Sequence, residues 1–92
     1  MKYAVSFAGT FKKSIRICEK RGFDITLLEE LIEKIANREK LEPRYRDHQL
    51  VGLRKRYREC HIKPDWLLIY AVDDQKQLIV LVDTGTHSDL FK

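Results

Sequence analysis

The sequence predicts an α+β fold in the order β-α-α-β-β-β, with two N-terminal helices packed on one face of a four-stranded, mainly antiparallel sheet. Three observations carry this. Helical periodicity is confined to residues before Pro43, two continuous apolar runs lie after it, and a polar turn separates those runs. "KYAVSF" alternates, with Tyr3, Val5 and Phe7 on one side, and reads as the first strand. Thr10 then stands where it can cap a helix over "FKKSIRICEKRG", in which Phe11, Ile15 and Cys18 recur at helical spacing and Gly22 is the stop. "DITLLEELIEKIANREK" is the second helix. Its Leu28, Leu31, Ile32 and Ile35 make one apolar stripe, and Thr26 with Glu29 matches a capping box.

After Pro43, "RYRDHQLVG" reads as an irregular basic loop closed by Gly52. The remaining strands are "RKRYRECHI", "WLLIYAV" and "QLIVLVD", the last two joined as a hairpin through Asp73 to Lys76. Two are continuous apolar runs, as suits the centre of a sheet. The other is charged on both sides: Tyr57, Glu59 and His61 share one face, and Arg56, Arg58, Cys60 and Ile62 the other. One face of the sheet is therefore expected to stay open to solvent or to a charged ligand.

A chain of 92 residues, 43% hydrophobic and 35% charged, specifies one globular domain over residues 1–92. No run approaches the roughly 20 apolar residues of a spanning helix, and no signal-peptide pattern opens the chain, so no membrane partner is expected and cytoplasmic residence is. Cys18 and Cys60 lack CxxC spacing and read as reduced apolar residues. The net charge is +4, but seven basic residues stand against two acidic ones between Arg44 and Lys63. A surplus this local is either a solvated surface or the footprint of a polyanion binder.

That stretch holds His48 and His61, and a third histidine, His87, follows the last strand in "TGTHSDLF". The hairpin returns the chain to the level of Pro64, which brings His87 toward His61 and Asp65. Three readings compete. The histidines are unrelated surface residues, or they ligate zinc with Asp65 behind them, or they perform metal-free acid–base chemistry. No HxH or HExxH spacing supports zinc, and the basic surroundings repel a dication. RNA cleavage needs a paired base and acid, with cations on the phosphorane. Trp66 and Phe91 divide in the same way, each either core or a platform for a base.

The run "RDH" at 46–48, "YRECHIKPDWLLIY" at 57–70 and "TGTHSDLF" at 84–91 resembles the YafQ branch of the RelE-like toxins, over essentially the whole chain. The resemblance implies a ribosome-dependent mRNA endonuclease of a type II toxin–antitoxin system, without metal or other cofactor. It implies an active site of His48, His61, Asp65 and His87, with His87 the favoured acid–base group. Arg54, Lys55, Arg56, Arg58, Lys63, Trp66 and Phe91 are the expected RNA contacts. The implied partners are mRNA, the 70S ribosome with its 16S rRNA, and a ribbon-helix-helix antitoxin, with operator DNA bound only through the toxin–antitoxin complex. One departure stands out. Asp83 occupies the position before TGTH where that pattern often carries arginine, so Arg56, Arg58 or Lys63 is expected to supply the missing charge. Failing that, the alternative is a protein of the same fold that acts by binding alone.

Overall fold

The computed structural model describes residues 2–91. Strand β1 (Ala4–Phe7) leads into helices α1 (Gly9–Lys20) and α2 (Ile25–Ala36), then strands β2 (His48–Gln49), β3 (Arg58–Lys63), β4 (Trp66–Asp73) and β5 (Leu78–Gly85), and a short helix α3 (His87–Leu90). Single 3₁₀ turns at Pro43–Tyr45 and Gly52–Arg54 punctuate the basic segment.

The sheet has five strands rather than four, in the order β1-β5-β4-β3-β2, and it is mixed. The unanticipated strand is β2, only two residues long, where His48 faces Glu59 and Gln49 faces Arg58. Two residues are too few for a periodic signal. β1 runs parallel to β5, with Ala4 opposite Leu78, and the other pairings are antiparallel. The charged strand starts later than its sequence pattern suggests, because residues 52–54 coil before pairing begins at Arg58.

Both helix starts differ from the sequence expectation. Thr10 lies inside the first turn of α1, behind Ala8, and its hydroxyl donates to the Val82 carbonyl instead of capping. Asp24 rather than Thr26 caps α2, accepting from the Thr26 amide at 3.1 Å. At the other end of α1 the stop is as read. Gly22 takes φ +83°, its amide donates to Glu19 and the Phe23 amide donates to Cys18, a left-handed closure that glycine adopts without strain. Helix α2 ends at Ala36, well before Pro43, with Arg38 in the left-handed conformation.

Phe11, Cys18, Leu28, Leu31 and Ile35 from the helices meet Cys60, Trp66, Leu68, Tyr70, Ile79 and Leu81 from one face of the sheet. The second face is not simply open. Leu67 and Ile69 on it are buried, and so are Glu59 and His61. Leu50, Tyr57, Leu90 and Phe91 line a cleft of about 210 Å³ with Ile69, so the segment after β2 and the C-terminal helix roof part of that face.

Candidate active site

The sheet register assembles the candidate residues across four strands. His48 lies opposite Glu59, His61 opposite Leu67, and Leu67 opposite Gly85, two residues before His87. A bulge in β3 between His61 and Lys63, and another in β5 at Val82, flank this row. Bulges re-aim side chains at the ends of strands.

His87 is the best-defined member. Its Nδ1 stands 2.6 Å from Asp65 Oδ1, and its backbone N–H donates to the same oxygen at 2.9 Å. A carboxylate only accepts, so the ring proton sits on Nδ1, and Nε2 makes no hydrogen bond among the described residues. The His87 amide, and after it the ring, hold the Asp65 carboxyl below its ordinary value. An imidazole with one nitrogen oriented by a carboxylate and the other free is a competent proton carrier. The ring centroids of His61 and His87 are 5.7 Å apart, and Phe91 is 6.4 Å beyond His87.

His48 and His61 share a second carboxylate. Each turns Nδ1 to a main-chain carbonyl, of Arg46 at 2.6 Å and of Pro64 at 3.3 Å. Each points Nε2 at Glu59 Oε1, at 3.4 and 3.7 Å. Glu59 and His61 are almost completely covered, whereas His48 and His87 are about half exposed. A proton arriving at either Nε2 therefore finds a carboxylate within ion-pair distance. Glu59 is thus a further candidate, which the sequence set on the same strand face as His61.

The expected RNA contacts separate. Arg54 stacks its guanidinium 5.6 Å over the Phe91 ring, and Phe91 is 41% exposed beside the histidines. Lys55 and Arg56 are exposed next to Arg54, with Arg56 lining a shallow hollow with Tyr57 and Ala71. Lys63 is exposed by Asp65 on the helix side of the turn. Two expectations fail on geometry. Trp66 is 3% exposed in the core, its ring edge against Phe23 and its Nε1 donating to Thr84 Oγ1 at 3.0 Å, so it offers no face to a base. Arg58 points to the helix side, where its Nη2 donates to Asp47 at 3.0 Å, and Tyr70 donates to the same carboxylate. A guanidinium committed there is not available to compensate for Asp83. Asp83 itself accepts from the Ser14 hydroxyl of α1 and from the Thr84 amide, while lining the cleft that holds Arg54 and Phe91.

Among the described residues no three His, Cys, Asp or Glu side chains are grouped to hold a metal ion. Cys60 is buried, and burial pushes its thiol far up, so it is no nucleophile.

Comparison with known proteins shows the family and the fold. The mRNA interferase toxin YafQ of Escherichia coli K12 is 36% identical over 88 residues, 95% of this chain and 94% of its own. The toxin in the crystal structure of the E. coli DinJ–YafQ toxin–antitoxin complex superposes with a TM-score of 0.90 at 34% identity, with full coverage of both chains. A metal-bound toxin from Helicobacter pylori gives 0.89 at 40% identity, covering 97% of this chain and 99% of that one. The family model described as the bacterial toxin of type II toxin–antitoxin system, YafQ, matches residues 3–92, and the chain belongs to that family.

Proposed function

We propose that this endoribonuclease cuts messenger RNA in the A site of the ribosome, as the toxin of a toxin–antitoxin pair. The observation that carries the reading is the His87 ring, oriented by Asp65, its Nε2 unpartnered among the described residues and a second imidazole 5.7 Å away. One histidine takes the proton from a 2′-hydroxyl, which attacks the adjacent phosphate, and another protonates the departing 5′-oxygen. The products are a 2′,3′-cyclic phosphate and a 5′-hydroxyl. His87 is our choice for one of these roles. Arg54 is the cation we assign to the phosphate, since it shares the cleft with Phe91 and Asp83. The names of its relatives support both the activity and an antitoxin partner, which we take to be of the ribbon-helix-helix type.

Asp83 favours a second reading, in which the chain blocks translation by binding alone. Primer extension on translating ribosomes decides between the two, with wild type and His87→Ala compared with and without chelator. The expected result is discrete breaks in A-site codons that survive the chelator and fall about 10²–10⁴-fold in the variant. Stalled but intact message in both would establish the binder. Loss of cutting on chelation alone would bring a metal into the mechanism.

A further inference from the structure

We propose that Arg21 and Asp89 form a positioning brace for His87, so that a salt bridge outside the histidine cluster sets the geometry of the acid–base ring. The inference rests on the functional reading above. Helix α3 has four residues, too few to hold its own shape, so its placement comes from tertiary contacts. Two consecutive amides at its start are each taken by a carboxylate. The Thr86 amide donates to Asp89 Oδ2 at 2.9 Å, and the His87 amide donates to Asp65 Oδ1 at the same distance. The Asp89 amide returns a bond to Thr86 Oγ1 at 3.2 Å, closing a capping box.

Asp89 is in turn held from the helical layer. Arg21 donates through Nη1 to Oδ2 at 2.6 Å and through Nη2 to Oδ1 at 3.2 Å, a two-pronged pair that leaves neither carboxylate oxygen free to rotate. Arg21 is itself anchored as the last residue of the α1 turn, its amide donating to the Ile17 carbonyl at 3.1 Å. Gly85 completes the arrangement. A Cβ there would lie 2.9 Å from both Asp89 Cβ and Asp89 Oδ2, so the strand end is closed down onto this carboxylate. A continuous set of contacts thus runs from α1 through Asp89 and Thr86 to His87, whose ring meets Asp65 at the other end.

The Arg21 guanidinium, with Thr86 after it, holds the Asp89 carboxyl well below the ordinary carboxylate value, consistent with a carboxylate that works ionised. A lysine at position 21 would keep the charge but lose the fork, and should restore the brace only in part.

The test compares wild type, Arg21→Gln, Asp89→Asn, their double variant and Arg21→Lys. Three readouts are used: nitrogen-detected NMR of the histidine rings, thermal melting, and cleavage on translating ribosomes. We expect each single variant to cut about tenfold less, the double variant no less than either single one, and Arg21→Lys to lie between. The His87 ring signals should broaden and lose the Nδ1–H signature, while those of His48 stay in place. A purely structural salt bridge would lower melting and spare the His87 signals. The inference is overturned if His87 signals and cutting are unchanged in Arg21→Gln and Asp89→Asn, or if lost cutting matches lost folded fraction. Should wild type leave the message intact, the functional reading fails and the ring signals alone decide the brace. Should Arg21→Gln not fold, Asp89→Asn and Arg21→Lys carry the comparison.

Discussion

At the scale of single residues, two arginines of one basic segment stand in opposite settings. Arg54 is exposed over Phe91, whereas Arg58 is tied to Asp47 beneath Tyr70. Arg54→Ala should weaken ribosome association and flatten its dependence on salt by about one unit of log–log slope, with melting unchanged. Arg58→Ala should cost about 1–2 kcal/mol in denaturant unfolding, by leaving a part-buried carboxylate short of a partner, and should spare the salt slope. Equal effects on both measurements would refute this division. Alternation put Arg58 on the face of Cys60 and Ile62, which is the face it takes, but the sequence does not show that this is the face the helices cover. Alternation had placed Arg58 with Arg56, yet pairing begins only at Arg58 and Arg56 lies in the preceding coil. The meeting of Asp65 with His87 was legible, because a hairpin of known length fixes where its ends come together. Trp66 was not, since an aromatic at a strand start reads the same whether it faces core or solvent.

At the scale of elements, α3 decides whether the site is complete. Gly85 permits the close approach of the strand end to Asp89, and Gly85→Ala forces either the strand or the helix to move. We expect a stability loss of about 1–3 kcal/mol with a larger proportional loss of cutting, read by denaturant melts beside primer extension. Cutting that falls only in step with folded protein would count against it. The pattern Thr86-x-x-Asp89 was available in the sequence as a capping box, but four residues carry no periodicity to support it. The long elements were legible for the opposite reason. The α2 stripe and the apolar runs of β4 and β5 each span enough residues to set a period, whereas β2 has two.

At the scale of the whole molecule, the perturbed groups bound a pH range of stability. The acid limb comes from Asp65, Glu33 and Asp89, whose carboxyls are lowered in the fold by His87, Lys2 and Arg21 respectively. Lowered carboxylates add stability above their unfolded values, near 4, and that stability drains away as pH falls through the folded values. The alkaline limb comes from burial of Cys60 and Tyr70, which raises both groups. Their contribution is complete below pH 8.5–10, roughly their unfolded range, and is lost as pH climbs beyond it. Melting temperature against pH should therefore show a plateau between, and Asp89→Asn should flatten its acid shoulder. An acid limb identical in Asp89→Asn and wild type would contradict this.

The parallel pairing of β1 with β5 has a consequence for how the molecule comes into being. Ala4 has no sheet neighbour until Leu78 exists, and His87 is made later still. Until residue 78 is added the first strand has nowhere to dock, and until residue 87 is added the imidazole pair lacks one ring. Long-range closure of this kind makes folding slow relative to a helical bundle. For a protein whose proposed target is the translating ribosome, that ordering is a built-in delay: residues 1–86 must be made before the last of the three imidazoles exists.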